Sequence, residues 1–188
     1  MKVEINSKEI KNVVSGDIVN IYESAATPII SHPTFIKERL RVFISYSHKD
    51  EDIKDKLDAH LAFLKRDERI VTWNDRKILA GQEWDLKIKE ELDHADLILL
   101  LISANFIASD YIWKFELTKA IERNNSGMAI VIPIFCKPCN FENMPFAKIQ
   151  GLPKSSTPII LAKNMDEILT EVTSNICSVI DNVCNNSF

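Results

Sequence analysis

The chain has 188 residues, of which 46% are hydrophobic and 27% charged, a globular composition that excludes global disorder. Its formal charge of −4 at pH 7 argues against a nucleic-acid partner, which would call for a basic surface. The longest apolar run, Leu97 to Ile102, is strand-sized, so no membrane partner is expected.

The opening Met1-Lys2-Val3-Glu4-Ile5-Asn6 has no apolar h-region. The four cysteines are therefore expected to be reduced and the protein cytoplasmic. The four glycines (Gly16, Gly81, Gly127 and Gly151) fit neither G-x-G-x-x-G nor a P-loop, which excludes both glycine-rich phosphate cradles.

Residues 1–40 read as an N-terminal extension. Val3, Ile5, Ile10, Val13, Ile18, Val19 and Ile21 flank a turn at Ser15-Gly16-Asp17, which suggests a hairpin. Pro28 and Pro33 mark a linker after it. From Arg41 strands and helices alternate. Val42 to Tyr46 is a strand, and Ile53, Leu57, Leu61 and Leu64 follow at helical spacing. Ile70 to Trp73 is a second strand, followed by a helical stripe of Trp84, Ile88 and Leu92. Leu97 to Ile102 has the unbroken apolar character of a strand buried on both faces. Trp113, Leu117, Ala120 and Ile121 mark a helix capped by Ser109. Ala129 to Phe135 is a fourth strand, Pro145 to Gln150 a short helical turn stopped by Gly151, and Pro158 to Leu161 a fifth strand. Asn164 opens a capping box for a last helix carrying Met165, Ile168, Leu169, Val172 and Ile176.

This alternation implies an α/β fold whose parallel sheet is covered on both faces, with ligands beyond the carboxyl ends of the strands. Chemistry is therefore sought in Ser45–Asp50, Trp73–Trp84, Ser103–Tyr111 and Phe135–Asn140. The first loop, read by itself, is better explained as a solvated turn that caps the next helix through Asp50 or Asp52. The second exceeds the usual connection of about 2–6 residues and carries two tryptophans and two cations, which points to function. Glu116 lies at the margin of the stripe of Trp113, Leu117 and Ala120, where partial desolvation raises a carboxyl pKa. Read by itself, it is better explained as an ordinary boundary Glu paired with Lys119 or Lys114, since structural pairs also perturb carboxylates. Cys136-Lys137-Pro138-Cys139 lacks two further ligands for zinc, so no metal is expected.

Four ordered segments resemble TIR (Toll/interleukin-1 receptor) domains, prokaryotic members in particular. They are Arg41–Ser47, Asp75–Trp84 (the family's BB loop), Ser103–Glu116, and Ile132–Ile134 with Lys137–Cys139 and Pro145–Pro153. The likeness covers residues 41–183 and leaves 184–188 as a tail. It implies a flavodoxin-like three-layer α/β/α fold with a five-stranded parallel sheet. It also implies NAD+ as substrate rather than cofactor, cleaved between nicotinamide and ribose, in a bacterial defence or cell-suicide role. The family's essential glutamate falls on Glu116, the implied catalytic residue. Phe43, Ser45 and Tyr46 would floor the pocket, and Trp73 or Trp84 would stack on a ring. Arg76 and Lys77 would meet the diphosphate or a neighbouring subunit, and Asp75, Tyr111 and Trp113 complete the substrate-binding set. Many prokaryotic relatives carry Cys after the tyrosine, where this chain has Ile112.

The resemblance further implies a homo-oligomer through residues 75–84, with residues 1–40 as a tether or a site for an upstream sensor protein. A covering hairpin explains residues 1–40 equally well. The competing readings are a non-enzymatic TIR scaffold and, more remotely, an enzyme like the nucleoside deoxyribosyltransferases.

Overall fold

The computed structural model describes residues 39–155 and 157–185. The hairpin and the linker read in the N-terminal extension fall outside the described residues, except Arg39 and Leu40, and Leu40 is the first residue of the first strand. The elements run β1 (Leu40–Ser45), α1 (Glu51–His60), α2 (Ala62–Arg66), β2 (Ile70–Trp73), α3 (Trp84–His94), β3 (Leu97–Ile102), α4 (Ala104–Ile107), α5 (Thr118–Asn125), β4 (Ile130–Phe135) and α6 (Met165–Asn185). The strands form one parallel sheet in the order β2-β1-β3-β4.

Strand alternation divides the core in two. Val42, Ile44, Leu97, Leu99, Leu101, Ile132 and Ile134 face α1, α2 and α6. Phe43, Ile98, Leu100, Ile102 and Val131 face α3, α4 and α5. All six residues of β3 are buried, as its continuous apolar run requires between two helical layers. The stripe Ile53, Leu57, Leu61 and Leu64 is fully buried against the first core. Asn164 caps α6 by accepting from Asp166 N at 3.0 Å.

The sheet has four described strands where five were expected. The run Pro158 to Leu161 forms a 3-10 turn over Ile159–Leu161. Only Ile159 of that turn is buried, and Ile160 and Leu161 are exposed. The outer edge of β4 is taken instead by Leu152, whose N donates to Pro133 O at 2.8 Å and whose O accepts from Phe135 N at 2.7 Å. Pro133 itself has no N–H to give, which suits it to an edge strand. Among the described residues no helix is long and apolar enough to cross a membrane.

Candidate functional site

The chain leaves β1 for β2 on one side of the sheet, and leaves β3 for β4 on the other. Loops diverge at such a switch point and open a crevice above the carboxyl ends of β1 and β3. A cleft of about 300 Å³ lies there, bordered by Phe43, Tyr46, His48, Asp75, Trp84 and Glu116 among others.

Glu116 enters the cleft from an irregular helix. Residues Ile112–Leu117 form a π-helical turn that runs into α5. The wider turn shifts the register of the residues before it, and such turns occur often at functional sites. Ile112, Glu116 and Leu117 are buried, whereas Trp113 is 39% and Phe115 44% exposed. The sequence stripe that placed Trp113 inward assumed uninterrupted 3.6-residue turns, and the π turn breaks that assumption. Thr118 Oγ1 donates to Trp113 O at 3.1 Å across the widened turn.

Glu116 is 7% exposed. Ser45, at the end of β1, donates to its Oε2 at 2.5 Å. Burial pushes the carboxyl from 4.5 up to about 7, against the Ser45 hydrogen bond and the nearby His48, with the Asp75 charge adding to the rise. The pairing with Lys114 or Lys119 considered from sequence is not made. Lys119 bridges Asp93 at 2.9 Å instead.

Opposite Glu116, Asp75 begins a 3-10 turn over Asp75–Lys77. Asn74 Oδ1 accepts from Arg76 N at 3.1 Å, Arg76 holds Glu51 through two hydrogen bonds of 2.7 Å, and Lys77 Nζ donates to Thr72 O. The two cations therefore secure the loop from outside and do not border the cleft. His48 Nε2 meets Asp75 Oδ2. Burial, and then the Asp75 carboxylate, raise the Tyr46 phenol. Even so, neither Tyr46 Oη nor Asp75 Oδ1 closes a hydrogen bond.

Aromatic rings form the rim. Trp84 lies 4.3 Å from Tyr111 between ring centroids, and Tyr111 lies 5.1 Å from Phe115. Tyr111 Oη donates to Asp85 at 2.8 Å. Burial and that carboxylate keep its phenol above the usual range. Trp73 stacks on Phe43 with centroids 5.2 Å apart, behind the cleft wall. Of the residues singled out from sequence, the structure gathers Phe43, Tyr46, Asp75, Trp84, Tyr111 and Glu116 around the cleft, with Ser45 bonded to Glu116. Trp73, Arg76, Lys77 and Trp113 stand outside its lining.

Sequence reasoning missed Asp50 as anything beyond a helix cap. It makes no side-chain cap bond to α1 and is fully buried. It accepts from Lys137 at 2.7 Å, from Asn105 at 3.0 Å and from Ser103. Burial opposes ionisation, but these three donors outweigh it and hold the carboxyl below its usual range. This hub ties together the loops after β1, β3 and β4. The only sequence signal was that its partners all lie at strand carboxyl ends. Cys136 is buried and its thiol raised chiefly by burial, so it offers no reactive thiolate. Among the described residues no group of three or more His, Cys, Asp or Glu is placed to hold a metal ion.

The family described as TIR domain matches residues 42–164. An uncharacterized protein of Sinorhizobium fredii (strain NBRC 101917 / NGR234), y4lF, is 43% identical over 135 residues, or 72% of this chain. The match spans 42% of that relative's own length.

Proposed function

The chain belongs to the TIR-domain family, and from that premise we propose that it is an NAD+ glycohydrolase, releasing nicotinamide and either ADP-ribose or a cyclic isomer. One observation carries the reading: a carboxylate buried at a sheet switch point, bordering a cleft and held by a single hydroxyl. Glycosidases ordinarily need two carboxyl groups, one of them an acid for a poor leaving group. The pyridinium of NAD+ departs as neutral nicotinamide and needs no acid. The remaining task is to hold the ribose hydroxyls and stabilise the developing positive charge, which one ionised Glu116 does electrostatically.

Phe43 and Tyr46 wall the cleft, and Trp84 and Tyr111 offer faces for a flat ring. At about 300 Å³ the cleft sits at the low end for small-molecule sites. It suits the nicotinamide–ribose half, leaving the diphosphate and adenosine to lie outside against a second copy of the chain. Activity therefore depends on self-assembly through residues 75–84, with residues 1–40 recruiting an upstream sensor. The cellular role is defence or cell suicide. The scaffold reading draws support from the exposed Leu79, Trp84, Leu86, Trp113 and Phe115, an apolar collection suited to partner contact.

The test is nicotinamide release from NAD+ by concentrated protein, compared with Glu116→Ala. Release by the wild type and none by the variant is expected. Equal release by both removes Glu116 from the reaction, and no release at any protein concentration leaves the scaffold.

A further inference from the structure

Once nicotinamide has left, water must bond to the ribose carbon and give up a proton. Glu116 is poorly placed to take it, being buried, bonded to Ser45 and committed to the ribose hydroxyls. The other titratable groups around the cleft are Tyr46, His48, Lys49, Asp75 and Tyr111. Both phenols are raised and stay protonated, and a lysine ammonium has no acceptor. Asp75 Oδ2 is engaged by His48, and Asp75 Oδ1 is buried. This leaves the imidazole.

We infer that His48, oriented by Asp75, accepts the proton of the water that captures the ribosyl carbon. The inference rests on the glycohydrolase reading above. The carboxylate accepts from Nε2–H, which fixes the tautomer and leaves a lone pair on Nδ1. The His48 side chain is 53% exposed, so a captured proton passes on to solvent. Both partners are anchored from behind. His48 opens the short turn that ends at Asp50, which holds Ser103, Asn105 and Lys137. Asp75 opens the turn fixed by Asn74, Arg76 and Lys77. Two loops, joined to each other where Arg76 holds Glu51, thus present one acid–base pair to the cleft that Glu116 borders. The step balances: the C–N bond breaks with its electron pair going to nicotinamide, the C–O bond to water forms, and the water proton passes to Nδ1. His48 is then the base, and Asp75 is its positioning residue.

A neutral pyridine nucleophile attacks the same carbon without losing a proton. The full-length chain is therefore given NAD+ together with an acetylpyridine, and ADP-ribose and the exchanged dinucleotide are measured side by side. In His48→Gln, hydrolysis is expected to fall about a hundredfold, in line with general-base catalysis, while exchange stays within about twofold. Retained exchange also shows that the variant is folded. Asp75→Asn keeps an acceptor for Nε2–H but removes the charge, and should lower the hydrolysis-to-exchange ratio about tenfold. An unchanged ratio in both variants, whether the two activities persist or fall together, overturns the assignment. A wild type that neither hydrolyses nor exchanges overturns the glycohydrolase reading itself, and this inference with it.

Discussion

Replacing Glu116 by glutamine isolates the energetic consequence of burying this acid. A rise from 4.5 to about 7 means that the folded protein holds the proton more tightly than the unfolded chain. The contribution to stability is complete below about pH 4.5 and is lost as pH climbs through about 7, because ionisation is then easier in the unfolded state. At about 1.4 kcal/mol per pH unit the loss amounts to roughly 3 kcal/mol. Glutamine keeps the shape and cannot ionise. Urea denaturation of wild type and Glu116→Gln at pH 5 and pH 8 yields two stability differences, in which contributions from other groups cancel. Between these pH values the variant should gain about 2–3 kcal/mol relative to wild type, since part of the loss has already occurred by pH 5, or roughly 5–10 °C in melting temperature for a chain of this size. A difference that does not change with pH would refute the reasoning, since it would mean that Glu116 titrates normally in the fold.

Ser45→Ala removes the hydrogen bond that favours ionised Glu116. On the glycohydrolase reading, wild-type nicotinamide release falls as pH drops through about 7. In the variant, the midpoint of the pH profile should move about one unit higher, and an unmoved midpoint would disconnect Ser45 from the acid. Asp50→Asn breaks the buried charge pair with Lys137 and should cost about 3 kcal/mol by urea denaturation, the low end for buried pairs because Lys137 is partly exposed. Loss of less than about 1 kcal/mol would show that the hub does not hold the loops. Gly151→Ala would set a Cβ 2.5 Å from Phe135 Cε2 and 3.1 Å from Pro133 O. Displacing that ring, which stacks on Phe141, should cost about 1–3 kcal/mol, and a neutral melting temperature would count against the close approach.

The sequence is most legible where one local rule decides. Leu97 to Ile102 reads as a doubly buried strand because every side chain is apolar, and Asn164 reads as a cap because its side chain needs only the next backbone amides. It misleads where a distant segment competes. Pro158 to Leu161 has strand composition, but Leu152 already occupies the edge of β4, a contact that no short window reveals. At Trp113 the failure is one of period, since one π turn leaves Trp113 exposed and Ile112, Glu116 and Leu117 inward. Glu116 stands out in the sequence through its motif and its place at the margin of the apolar stripe. Its partner Ser45 lies 71 residues away and could be named only as a neighbour at the strand end. Asp50 stayed hidden because its meaning depends on Ser103, Asn105 and Lys137 converging from other loops.

The position of Glu116 carries an argument of its own. Its carboxylate shares a cleft wall with Phe43, Ile44 and Ile112, and a single hydroxyl is its hydrogen-bond donor. Stability alone would favour an uncharged side chain there, for which the penalty of roughly 3 kcal/mol above neutrality would vanish. Asp50 shows the contrast: it too is shielded from solvent, yet three donors converge on it and lower its pKa. The same end of the sheet thus holds one acid made comfortable and another left short of partners. An acid short of partners beside an open cleft keeps its remaining acceptor capacity for whatever enters, and a cationic ring bonded to a hydroxyl-bearing sugar supplies both the charge and the donors it lacks.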